Sequence, residues 1–172
     1  MYLILKTKVS KMGFFGELLQ DVTGKSKRPE IKGGRFENFV SDEIFTDKLF
    51  DLVEMTRDFN SNSERFEERS MNPDFLFRDK RTHEEFWIEA KYRTGLFRND
   101  KGQFVCEICK SWQLDRYRDV EKISGKKVYI CLGLGEDPRY PETVHLIPVF
   151  GAYPQLFQSK LKETLIWRNP DI

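Results

Sequence analysis

Residues 72–93 read NPDFLFRDKRTHEEFWIEAKYR, and this stretch restricts the fold more than any other part of the chain. Two runs, 73–79 and 85–92, are rich in aromatic and branched side chains and are linked by KRTH, an order that predicts two strands and a tight turn. A hairpin centred between Arg81 and Thr82 sets Asp79 against Glu84, Phe77 against Phe86, Leu76 against Trp87, Phe75 against Ile88 and Asp74 against Glu89. Opposed residues share a sheet face, and Lys91, two residues past Glu89, joins the face of that acidic pair. The other face carries Phe75, Phe77, Phe86, Ile88 and Ala90. A one-residue slip would expose all of them, so the apolar pattern pins the register.

That register brings two carboxylates and an amine together. Directly opposed residues lie about 4.5–5.5 Å apart, and like charges at that separation are destabilising. The pair therefore calls for a shared proton or a bound cation. Mg2+ keeps several waters and binds through one or two carboxylates plus substrate phosphate, which suits such a pair, with Mn2+ as a possible substitute. A metal-bound water is more acidic, and the Lys91 ammonium would act as a point charge on that water and on a scissile phosphate. Phosphodiester hydrolysis is the chemistry that this combination serves. The plainer reading of the same residues is a surface ion pair between Lys91 and Asp74 or Glu89, worth little in stability.

With 172 residues, 39% of them hydrophobic, the chain can build one core. Its charges nearly cancel, to +1, so contact with nucleic acid would depend on local clusters of Lys and Arg. No stretch approaches the roughly 18 apolar residues of a membrane span, and MYLILK is only a short apolar run before charges resume. A soluble, cytoplasmic protein without membrane partners is the expectation. Three cysteines do not make a disulfide framework. The CEIC at 106–109 has no second pair, and an extended chain would turn Cys106 and Cys109 to opposite faces, which argues against a closed zinc site.

Residues 1–34 are expected to form a basic, partly ordered lead-in. Its segment GKSKRPEIKGGR, which runs on to Arg35, sets Lys25, Lys27, Arg28, Lys32 and Arg35 against Glu30 alone, either as a solvated linker or as a phosphate contact. A single domain is expected over 35–172. After the Gly33-Gly34 break, Phe36, Phe39, Val40 and Ile44 recur at helical spacing from Arg35. A strand over FDLVEMTRDF leads to a polar loop, and the hairpin follows. An insert at 94–103 precedes an extended QFVCEICK. A helix beginning near SWQLDRYRDVEKI is terminated by Gly125, strands follow over KKVYICLGLG and TVHLIPVF, and YPQLFQSKLKETL reads as a closing helix. Helix, three strands, helix, strand predicts an α/β fold with a mixed central sheet flanked by helices.

Pro73-Asp74 and Glu89-Ala90-Lys91 together resemble the motif of the PD-(D/E)xK nuclease superfamily, whose restriction-endonuclease-like fold has an αβββαβ core. The resemblance covers roughly residues 33–130 and implies that the acidic pair binds divalent metal while Lys91 assists the nucleophilic water. KGGRFENFV resembles the helix start of archaeal Holliday-junction resolvases, which implies a metal-facing role for Glu37. A carboxylate stabilised in the first helical turn is the alternative. QLDRY matches the Q-x-x-x-Y of RecB-like and lambda-exonuclease-like members. Its spacing puts Gln113 and Tyr117 on one helix face, where they could contact the cut strand or brace the site, and Tyr117 fits a core stripe equally well. Lys110, Lys32 and Arg35 are candidate phosphate contacts. The insert at 94–103 departs from the compact resolvase pattern.

Taken together, these features lead to the expectation of a Mg2+-dependent DNA nuclease acting in repair, recombination or restriction. Its catalytic residues would be Glu37, Asp74, Glu89 and Lys91, and all of these but the lysine would hold metal. A homodimer would suit the cutting of two strands, and a separate protein partner is left open. The alternative function is a non-catalytic DNA-binding or oligomeric scaffold on the same fold.

Overall fold

The computed structural model describes residues 29–56 and 72–171, with side chains from residue 34 onward. Among these residues the element order is α1 (Pro29–Phe39), a π-helical turn (Val40–Ile44), β1 (Phe50–Met55), β2 (Phe75–Asp79), β3 (Glu85–Arg93), β4 (Phe97–Arg98), β5 (Phe104–Glu107), α2 (Ser111–Ser124), β6 (Lys127–Leu134), β7 (Thr143–Pro148), β8 (Gln155–Phe157), α3 (Gln158–Glu163) and β9 (Leu165–Arg168). Six strands form the main sheet in the order β1-β2-β3-β6-β7-β9, and β4-β5-β8 form a small second sheet. β3 and β6 run parallel, and the other pairings are antiparallel. The central sheet is thus mixed, as the order of elements predicts.

The hairpin adopts the register that its apolar alternation requires. Phe75 pairs with Ile88, Leu76 with Trp87 and Phe77 with Phe86, while the Asp79 N–H donates to Glu84 O at 3.0 Å. Asp79 also organises the turn: its Oδ1 accepts the N–H of Arg81 at 2.7 Å and of Thr82 at 3.2 Å. His83 closes the turn with φ 61°, a left-handed conformation that His enters more readily than branched residues do.

Period-two alternation then feeds two cores. Phe75, Phe77 and Ile88 pack with Phe36, Phe39, Val40 and Ile44 of α1 and the π-helical turn. Leu76 and Trp87 point the other way and pack with Leu114 and Tyr117 of α2 over Val128, Ile130 and Leu132 of β6. The polar trio predicted from the sequence therefore projects from the end of a strand whose inner face is also core.

Helix α2 begins at Ser111, and Gly125, at φ 67°, ends it by donating its N–H to Glu121 O at 3.0 Å. The first helix departs from expectation: it starts at Pro29, ahead of Arg35, and passes through Gly33-Gly34. Proline is favourable in a first helical turn, and packing of the Phe36, Phe39 and Val40 face offsets the roughly 1 kcal/mol that each interior glycine costs. Residues 1–28, with Lys25, Lys27 and Arg28, lie outside the described residues.

The expected closing helix is corrected to β8, the short α3 and β9. Pro154 stands ahead of β8, Val105 of β5 pairs with Phe157, and His145 of β7 pairs with Leu165. Two unpaired strand edges thus capture residues whose local spacing alone reads as helical. Cys106 and Cys109 are also corrected. The strand ends at Glu107, so the alternation does not extend to residue 109, and both free thiols are buried in the core beneath α2.

One close approach seats α1 on the sheet. A Cβ built on Gly133 would lie 2.3 Å from Phe36 Cε2 and 2.7 Å from its Cζ, so the phenyl ring occupies the space that β6 leaves open there. Tyr92 of β3 flanks the same ring, with centroids 5.7 Å apart. Gly133→Ala is expected to destabilise the protein by about 1–3 kcal/mol through overpacking. Urea denaturation should show this as a lower midpoint, and combination with Phe36→Leu should recover part of the loss.

Candidate active site

The site stands where β2 begins and β3 approaches its end. Asp74 immediately precedes β2, and its Oδ2 accepts the backbone N–H of Ala90 at 2.7 Å, which ties the carboxylate across the hairpin. Glu89 lies within β3, shares a face with Trp87 and is only 5% exposed. Two donors meet its Oε1: Lys91 Nζ at 2.5 Å and Tyr117 Oη at 2.6 Å. Hydrogen bonds to a charged acceptor are the stronger kind, and they compensate the burial of this carboxylate.

Burial raises the Asp74 carboxyl well above the usual carboxylate range, and the charge of Glu89 adds to the effect. The Ala90 N–H and the Lys91 ammonium work in the opposite direction, and Glu37 is close enough to raise the group further. Glu37 thus reaches the electrostatic neighbourhood of Asp74 from α1, through the helix that Phe36 seats. Burial and the charge of Glu89 also raise the Tyr117 phenol, which keeps its proton and remains a donor.

A carboxylate pair that resists double ionisation is a donor set matched to a hard divalent cation. Asp74 and Glu89 could hold Mg2+ or Mn2+ together with solvent and a phosphate, which is the coordination that Mg2+ favours. Among the described residues no group of three His, Cys, Asp or Glu side chains is assembled to hold a metal. Glu37 bears on this pair as a further nearby charge, through its effect on Asp74.

The other candidates fall at different distances from this centre. Tyr117 is fully buried in the α2 core and also touches Glu89, so both of the roles open to it in the sequence meet in one side chain. Gln113 is half-buried, and its Oε1 accepts the N–H of Lys110 at 3.0 Å, an interaction that ties down the start of α2. Lys110 is exposed and pairs with Glu107 at 2.7 Å. Arg35 is half-buried and lies near Asp137. Lys32 lies within α1, but its side chain falls outside the described ones.

Two contributors were missed in the sequence. Arg93, two residues past Lys91 on the same face, donates to Glu107 O at 2.8 Å and Ile108 O at 3.1 Å and so fixes the segment leading into α2. Its position at i+2 from Lys91 was the available signal. Cys109 lies within electrostatic range of Lys91 and Glu89, and burial raises its thiol. Nothing local in CEIC announces that proximity.

No protein-family model matches the chain, and no curated protein matches it. Among solved structures it is similar to the Holliday junction resolvase Hjc of the archaeal hyperthermophile Archaeoglobus fulgidus, at 16% identity and a TM-score of 0.51. That likeness covers 78% of this chain and 91% of Hjc. The chain has the restriction-endonuclease-like fold, the fold expected from the resemblance at Asp74, Glu89 and Lys91.

Two substitutions should shift stability in opposite directions. Tyr117→Phe removes a donor from a buried carboxylate and is expected to lower the unfolding free energy by about 1–3 kcal/mol. Asp74→Asn removes a like charge while keeping an oxygen for the Ala90 N–H, and should raise the Tm of the metal-free protein. Because the folded Asp74 carboxyl is raised, its contribution is fully present below the ordinary carboxylate range and is lost as pH rises through the raised value. The gain from Asp74→Asn should therefore grow with pH in thermal scans from acidic to neutral buffer.

Proposed function

We propose that this chain is a metal-dependent nuclease that hydrolyses DNA phosphodiester bonds in repair, recombination or restriction. The observation that carries the reading is the buried Glu89 carboxylate, opposed by Asp74 and held on one oxygen by Lys91 and Tyr117. The fold shared with Hjc, a Holliday junction resolvase, supports it, and branched DNA belongs among the substrates to be tried.

Each residue has a definable task in this reading. Asp74, braced by the Ala90 N–H, and Glu89, braced through Oε1, are the metal ligands, and their fixed rotamers lower the cost of assembling the site. Mg2+ or Mn2+, when bound, supplies a more acidic water and neutralises charge on the phosphate. Lys91 holds its ammonium against Glu89 and turns a point charge toward the water and the scissile phosphate. Glu37 adds a third carboxylate on the α1 side, as a further ligand or a base for the water. Tyr117 keeps Glu89 oriented, with its proton retained throughout.

Lys110, Arg35 and Lys32 would contact phosphates, and Gln113 would meet the cut strand from the start of α2. With a net charge of +1, such contacts give modest affinity that falls steeply with salt. A two-fold pair of copies would present two such sites for the two strands of a duplex. A non-catalytic scaffold on the same fold is the second reading, favoured by the lack of a preassembled three-donor group among the described residues.

Cleavage of linear, circular, single-stranded and branched DNA with Mg2+ or Mn2+ tests the proposal. Lys91→Ala and Glu89→Ala are each expected to lower the rate by about 100-fold or more, as loss of a charge-stabilising group does elsewhere. Calorimetry with Mn2+ separates the alternatives: binding abolished by Glu89→Ala keeps the metal site even where no substrate is cut. Neither binding nor cutting would leave the scaffold reading.

A further inference from the structure

Aromatic side chains meet different partners in the core and at the surface. The buried ones pack on one another, as Phe45 does on Phe77 with centroids 4.9 Å apart. Among the described residues, three of the seven exposed aromatics instead carry an arginine: Arg98 lies 4.7 Å from the Phe104 ring centre, Arg116 lies 5.7 Å from Trp112, and Arg139 lies 6.0 Å from Tyr140. A ring face beside a guanidinium offers stacking and positive charge in one place, the combination that holds unpaired nucleotides.

Of the three, the Trp112 pair is tied to the candidate site. Trp112 is 63% exposed in the first turn of α2, although indole is a large apolar group that burial would stabilise. Arg116 lies between it and Tyr117, at 5.0 Å from the phenol ring, and Tyr117 bonds to Glu89. Three contacts in series therefore connect the open indole face to the buried carboxylate. Its surroundings decide the occupant. On its own helix Asp115 and Arg116, three and four residues on, are the neighbours that share its face, and both are charged, so an apolar protein surface placed there would strip them of water. A nucleotide would lay its base on the ring and its phosphate toward Arg116. Bases within a duplex have their faces covered by neighbours, whereas an unpaired base has a free one.

We propose that Trp112, flanked by Arg116, is the stacking platform for an unpaired nucleotide beside the phosphodiester to be cut, so that the substrate carries a single-stranded segment at the site. This inference rests on the nuclease reading for its substrate, but its binding step can be measured without cutting. Anisotropy of a fluorescein-labelled thymidine oligonucleotide of about twelve residues, within the usual range for such grooves, is compared with that of a blunt duplex. The full chain, Trp112→Ala and Trp112→Phe are titrated in EDTA.

Trp112→Ala is expected to weaken the single strand about ten-fold, the loss of one stacked base, while duplex affinity changes less than two-fold. Trp112→Phe should recover most of the loss, which a merely structural role for the indole would not predict. Equal weakening of both DNAs, or of neither, overturns the proposal. Loss of self-association in Trp112→Ala with oligonucleotide binding intact also overturns it and assigns the indole to a protein contact. Trp112-dependent oligonucleotide binding with neither Mn2+ binding nor cleavage of any DNA would retire the nuclease reading and keep the platform. Cleavage with binding indifferent to Trp112 would do the reverse.

Discussion

Alternation along β3 couples the core to the chemistry. Ile88 and Ala90 face α1 while Trp87, Glu89, Lys91 and Arg93 face α2, and a strand cannot turn one of these without turning them all. The same Phe75–Ile88 and Phe77–Phe86 pairs that fill the core therefore hold Glu89 beneath α2, in a place where a carboxylate is costly. Most of the remaining site answers that cost. Tyr117 comes from α2 with a phenol, Lys91 comes from the strand itself, and Arg93 anchors the segment from which α2 starts.

The two helices reach the sheet by different means. α1 is seated by shape: Gly133 leaves room for the Phe36 ring, and Tyr92 closes over it. The next residue, Glu37, is thereby carried to the margin where it bears on Asp74. α2 is seated by polar anchors as well as by Leu114 and Tyr117. Arg118 donates to Ala152 O at 2.7 Å, and the Val128 N–H donates to Glu121 Oε2 at 2.9 Å, bracing the helix against neighbouring chain on both sides. Shape fixes one carboxylate and hydrogen bonds fix another, so the site depends on both layers of the fold.

Electrostatics at the site run against stability. Asp74 is held in a place where burial and Glu89 oppose its ionisation, and ionised it would be the better metal ligand. Strain of this kind is expected where a protein keeps charge for chemistry and not for folding.

Much of this was legible in the sequence because strands obey a period of two. The pairing of Phe75 with Ile88, Leu76 with Trp87 and Phe77 with Phe86 needs only that period and a turn of the right length, and Gly125 announces the end of α2 just as locally. The early start of α1 and the β8-α3-β9 ending were not legible, because packing and open strand edges outweighed local propensity there. The sequence by itself determined which residues face together along β2 and β3 and which chemical groups lie among them. Only the tertiary structure decided that Tyr117 and Lys91 share one oxygen of Glu89, that Arg93 braces α2, and that Trp112 stays open beside Arg116. The Tyr117–Glu89 and Arg93 contacts join separate parts of the chain, and the exposure of Trp112 depends on what packs around α2, so their geometry follows from how helices settle on the sheet, for which no local period carries a signal.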